Sequence, residues 1–133
     1  MEKEIRFTAL FVKDIHSLLD RFLPKHEKVF GDHSTIEFKP ENLNGIEIGK
    51  ESIIRVVGRA YDEFGDDLLV ENSRSKNVYP HITLSRAENA PKLYSKVLFE
   101  KAIKSGSIEY FTNEEVLVIE GYSDGENIFT KEI

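Results

Sequence analysis

Two of the four histidines in this chain head the same short pattern, His33-x-Thr35-Ile36 and His81-x-Thr83-Leu84. With five threonines in 133 residues, such a pairing arises by chance in roughly 1% of cases. Side chains two apart on a strand share one face about 6.6 Å from each other. His33 therefore stands beside Thr35, and His81 beside Thr83 and Ser85, while Ser34, Ile36, Phe38, Ile82 and Leu84 point the other way. Two imidazoles and two hydroxyls around one anion suit phosphoryl chemistry without a metal. One neutral ring takes a proton from water or a hydroxyl, and the other, as imidazolium, gives a proton to the leaving oxygen on the far side of phosphorus. Free histidine titrates near about 6.5, so both forms coexist around neutrality. The Thr35 and Thr83 hydroxyls would donate to the non-bridging oxygens, where charge concentrates in the transition state.

For the motifs to meet, their strands must lie close in one sheet, where neighbours are about 4.8 Å apart. The hydrophobic periods predict strands over 5–12, 33–38, 45–48, 52–61, 68–71, 81–85, 107–111, 115–121 and 127–131, with a turn at 64–67 and a polar loop at 72–77. Asp14 reads as the cap of a helix carrying Ile15, Leu18, Leu19, Phe22 and Leu23 and ended by Pro24. A second helix is expected from Pro91, with Leu93, Val97, Leu98, Ala102 and Ile103 on one side and an end near Gly106. Gly58, inside an apolar strand, marks a bulge or a close backbone approach. Grouped strands with two helices between them predict an α+β fold with a largely antiparallel sheet.

Composition narrows the class. A content of 40% hydrophobic residues in 133 predicts a single domain over 1–133, and only 12 Pro plus Gly argue against a low-complexity chain. Cysteine is absent, which removes disulfides, thiolate nucleophiles and Cys-based zinc sites. The 18 Lys and Arg against 24 Asp and Glu give a net charge of -6, which disfavours long double-stranded nucleic acid and favours short anionic ligands. The longest apolar runs, 9–12 and 116–119, are four residues each, against about 18 for a membrane span. Met1-Glu2-Lys3-Glu4 opens no apolar leader, so a cytoplasmic location is expected.

The paired His-x-Thr-hydrophobic motifs, the second introduced by Asn77-Val78-Tyr79-Pro80, resemble those of the 2H phosphoesterase superfamily. The resemblance covers roughly residues 5–98 and is nearest to compact members similar to the cyclic phosphodiesterase module of fungal and plant tRNA ligases. It implies a bilobal fold with pseudo-twofold related halves and one motif on a central strand of each. It also implies hydrolysis of a cyclic phosphate on a nucleotide or an RNA 3′ end, with no cofactor. His33 and His81 would be catalytic, and Thr35 and Thr83 would bind the phosphate. The motif histidines stand 48 positions apart, closer than in many bilobal members, so some loops that shape substrate choice are expected to be missing. Cyclic di- or oligonucleotide signals, of the kind cleaved by anti-defence members of the superfamily, are a second substrate class. A non-catalytic module that binds a nucleotide or RNA end is the rival from outside enzymology.

Plainer readings stand beside these. Two surface strands with incidental His and Thr would carry the same pattern. His16 and His26 read as solvated, with no role. A His33–His81–Glu37 metal set is disfavoured because Glu37 lies about 13 Å along the strand from His33. Asp32 reads as a poor partner for His33, since adjacent strand residues face opposite sides. Arg74 and Lys76 either reach substrate from the rim or belong to a solvated loop. Tyr79 either stacks on a base or anchors Pro80 in the core. Arg55 and Arg59 form either a basic patch or ordinary surface charge.

Overall fold

Strand-period segments in the first half of the chain become β1 (Phe7–Val12), β3 (His33–Phe38), β4 (Glu51–Tyr61) and β5 (Gly65–Val70). The second half adds β6 (His81–Arg86) and the long β7 (Glu109–Ser123), and two short strands, β2 (Lys28–Val29) and β8 (Ile128–Phe129), complete the set. The helices are α1 (Ile15–Arg21) and α2 (Ser95–Ser105). This computed structural model describes residues 4–131; residues 1–3, on which the leader expectation partly rests, and 132–133 lie outside the described residues. The strands join in the order β2-β6-β5-β4-β7-β1-β3, with β8 on β7, and every pairing is antiparallel. The α+β class and antiparallel sheet read from the sequence are what the chain adopts. Among the described residues no helix is long and apolar enough to cross a membrane.

One segment curls the sheet. After α1, residues Lys28 and Val29 pair with Arg86 and Ser85 of β6, and the N–H groups of Phe30 and Gly31 donate to the carbonyls of Leu84 and Thr83, both at 2.8 Å. The same segment then continues as β3 and pairs with β1. A single stretch is thus hydrogen-bonded to both outer ends of the sheet, which draws β3 toward β6. Gly31 makes the transition at φ +83, a conformation open to glycine, and packs so close to Leu19 that a Cβ would stand 3.0 Å from its Cδ2. The loop after β5 laces the far end: Lys76 N–H donates to the Ile36 carbonyl at 2.7 Å, and Asn72 Nδ2 donates to Ser34 Oγ at 3.1 Å.

Two apolar clusters fill the interior. In the larger, Ile36, Ile82 and Leu84 of the motif strands meet Leu10, Val56, Leu68 and Leu18 of α1. Leu98, Phe99 and Ala102 of α2 build the smaller cluster with Ala60, Ile108 and Tyr94. Burial of Ser34, Ile36, Ile82 and Leu84 follows the predicted alternation, whereas Phe38 is exposed and Ser85 is buried. Ser85 donates to Asp66 Oδ2 at 2.8 Å and accepts from the N–H groups of Lys25 and His26, so a loop covers it.

Several boundaries differ from expectation for physical reasons. Residues 45–48 form turns instead of a strand, with Gly45 and Gly49 at φ +84 and +90 and turn bonds Ile46 N to Leu43 O and Lys50 N to Glu47 O. Gly65, Asp66 and Asp67 belong to β5, and the reversal is made upstream, where Asp62 Oδ1 accepts the N–H groups of Phe64 and Gly65 at 2.9 Å. Asp14 caps α1 by accepting from Ser17 N at 3.0 Å, but the helix ends at Arg21 and Leu23 is exposed. Pro91 precedes α2 without entering it, and Leu93, Val97 and Ile103 are exposed while Leu98, Phe99 and Ala102 face inward. The two expected strands over 107–111 and 115–121 are one, because a register slip between Val56 and Gly58 of β4 takes up the extra residues. Gly58 lies at that slip, where the extra residues belong to β7, and against β5 it is β4 that carries one residue more; a Cβ on Gly58 would stand 2.9 Å from Ile108 Cγ2.

Candidate active site

The curl brings the outward faces of β3 and β6 together. His33, Thr35, His81 and Thr83 line a single cavity of about 460 Å³. Phe7 of β1 and the turn from β7 to β8, through Ser123, Gly125 and Glu126, form other walls. Residues far apart in sequence thus share one space because the chain from β2 to β3 is tied to both sheet ends.

Each imidazole is held from behind. His81 Nδ1 lies 2.7 Å from the Tyr79 carbonyl. A carbonyl only accepts, so Nδ1 carries the proton and Nε2 is the nitrogen left for exchange. The His81 ring lies against Phe99, with centroids 6.0 Å apart. The His33 ring stacks on Phe7 at 4.7 Å and 22° and touches Phe11 at 5.8 Å. Its Nδ1 is buried and lies 3.4 Å from Asp32 Oδ1, at ion-pair range though not in hydrogen-bond geometry. The expectation that Asp32 faces away is therefore wrong. Asp32 precedes the first residue of β3, where strand alternation does not yet hold. Burial pushes its carboxyl up, but the neighbouring His33 ring and a backbone bond outweigh this and hold it below the usual carboxylate value.

Thr35 and Thr83 are partly exposed, and among the described residues neither hydroxyl has a hydrogen bond within the protein. Both are thus free to donate to a ligand oxygen. Among the described residues no Lys or Arg lines the cavity, and Asp32 and Glu126 are the carboxylates that do. Glu37 is not a lining residue, and among the described residues no three His, Asp or Glu side chains stand close enough to share a cation.

Other candidates find other work. Arg74 is committed to the buried Glu120, bonding both carboxylate oxygens and, at 3.0 Å, the Gly45 carbonyl. Tyr79 packs on the smaller core cluster, with its ring 5.7 Å from Phe99. Arg55 makes a surface pair with Glu71, but Arg59 is buried and bonds Asp66 through Nε at 2.9 Å and Nη2 at 3.0 Å. His16 is exposed, as expected. His26 is not merely solvated, since its Nε2 bonds the Asp62 carbonyl at 2.8 Å. Nothing in the sequence singled out Phe7 or the 123–126 turn, whereas Asp32 was weighed there and set aside. Phe7 was legible only as one member of an alternating strand, and the turn carried no signal tying it to either motif.

In comparison with known proteins, the chain matches no protein-family model, no curated protein and no solved structure.

Proposed function

We propose that this protein is a metal-independent phosphodiesterase of the 2H type that opens a nucleoside 2′,3′-cyclic phosphate, free or at the 3′ end of an RNA. The observation that carries the reading is the convergence of His33, Thr35, His81 and Thr83 on one cavity, with His81 Nδ1 bonded to the Tyr79 carbonyl and the Asp32 carboxylate beside His33. In this reading the curled α+β fold is the bilobal 2H arrangement, with β3 and β6 as equivalent strands of its halves. A chain without cysteine suits a reducing compartment, consistent with work in the cytoplasm.

The chemistry follows from the groups present. A water oxygen attacks phosphorus while its proton passes to Nε2 of the neutral histidine, and the bond from phosphorus to one ribose oxygen breaks. The imidazolium gives its proton to that oxygen, leaving a phosphomonoester beside a free hydroxyl. Each proton transfer of this kind supplies about 100 to 10,000-fold. Thr35 and Thr83 donate to the non-bridging oxygens and hold the phosphate between the rings.

Incubation of the purified protein with a panel of cyclic mono-, di- and oligonucleotides in EDTA tests this. A phosphomonoester product is expected. No turnover across the panel, or turnover that chelation removes, would overturn the reading.

A further inference from the structure

A second cavity of about 410 Å³ opens on the other side of the motif residues, and Thr35 and His81 line both spaces. Its character is opposite to that of the first. None of its described lining residues is acidic, and it carries Lys76 and Lys96. In a chain with six more acids than bases, most buried or half-buried arginines are taken up by carboxylates, as Arg59, Arg74 and Arg86 are. Lys76 has no carboxylate within ion-pair distance among the described residues, and Lys96 has only Glu100 at 4.0 Å. The backbone bond from Lys76 N–H to Ile36 fixes the base of that side chain beside β3.

The same cavity gathers apolar surface that the fold leaves uncovered. Leu93 is 96% exposed, Val78 69% and Phe38 57%. Leu93 is also held at φ 55, in the left-handed region that a bulky side chain rarely enters. Among the described residues the other non-glycine with positive φ is Lys39, the neighbour of Phe38. No packing contact of the protein rewards an exposed leucine in a strained conformation. A flat apolar ligand face would cover it.

Resting on the phosphodiesterase reading, we infer that this cavity holds a neighbouring nucleotide. The preferred substrate then carries a second phosphate, received by Lys76 and Lys96, and a base lying against Leu93 and Phe38. An RNA end and a cyclic dinucleotide both offer that chemistry, whereas a lone nucleoside cyclic phosphate does not.

Calorimetric titration with uridine 3′-phosphate and with the dinucleotide UpUp tests this apart from catalysis, since neither needs to react. UpUp is expected to bind about tenfold more tightly, in line with charge-assisted contacts to one added phosphate. The double substitution Lys76→Ala and Lys96→Ala removes two exposed side chains. It should erase the advantage while leaving uridine 3′-phosphate binding in place. Leu93→Gly, which relieves the backbone, should weaken UpUp alone. Equal affinity for the two probes, or an advantage that survives the lysine substitutions, would overturn the inference even if turnover is found. An advantage lost with the lysines supports it even if no substrate turns over, in which case the catalytic reading alone fails. Comparing linear UpUp with cyclic diuridylate then separates the two sources of the second phosphate.

Discussion

The Asp32 carboxylate lies 3.4 Å from Nδ1 of His33, its neighbour in the chain, and lines the same cavity as that ring. The Asp32 carbonyl accepts from Val12 N–H at 2.9 Å, which ties the backbone of this residue to the end of β1. Asp32→Asn keeps the shape and removes the charge. With no negative charge left beside the ring, kcat should fall by about tenfold or more with KM little changed. The pH–rate profile should alter as well, which a change of packing alone would not produce. Steady-state kinetics across pH checks both, and a variant with wild-type kcat at every pH would show that Asp32 does not act through His33.

The two imidazoles act as a unit in the proposed step, one taking a proton as the other gives one. His33→Ala and His81→Ala should each lower kcat by about 100 to 10,000-fold, and the double variant should be little worse than either. Both side chains are only half-buried, so far-UV circular dichroism should stay unchanged. The wild-type profile should be bell-shaped, with two apparent values that belong to the pair. Activity retained in one variant would remove that histidine from the mechanism.

The motif strands were legible because period-two burial is written in Ile36, Ile82 and Leu84, which the core requires. That both strands face one cavity was not legible. It depends on residues 28–31 pairing across the curl, and those carry no pattern beyond Gly31. Asp66 and Asp67 looked like turn residues because acidic side chains after a glycine usually are. Here they are fully buried and neutralised by Arg59 and Arg86, partners that only the tertiary fold supplies. Residues 45–48 alternate like a strand, yet glycines at either end turn the chain away.

Arg59 and Asp66 therefore make a stability prediction that sequence alone would not. The Asp66 carboxylate accepts from Arg59, from Ser85 Oγ at 2.8 Å and from Lys25 N–H at 3.1 Å, so it is a buried hub joining β4, β5, β6 and the loop after α1. Arg59→Leu leaves that charge without its cation and should destabilise the fold by about 3 to 5 kcal/mol. Arg59→Leu combined with Asp66→Leu should recover part of the loss, since no unpaired carboxylate remains. Urea unfolding of the three proteins measures this, and a single variant within about 1 kcal/mol of wild type would show that water reaches the pair.

Asp62, in the turn from β4 to β5, ties that turn to Tyr94 and to Lys101 of α2. Burial works against its charged form, but Lys101 at 2.8 Å, Tyr94 at 2.5 Å and the N–H groups of Phe64 and Gly65 outweigh it, holding the carboxyl at about 2 against an ordinary 3.8. A carboxyl with a lowered folded-state value contributes stability that is complete above its unfolded value and is lost as pH falls through the folded one. The contribution is therefore present above about pH 4 and declines toward about pH 2. Part of the cluster meets solvent, so it amounts to about 1 kcal/mol after screening, or roughly 3 °C in Tm for a chain of this size. Asp62→Asn should be less stable than wild type near neutrality and converge with it as pH approaches about 2. Thermal melts at stepped pH follow the gap, and parallel curves down to that limit would mean that the carboxylate's bonds add nothing to the folded state.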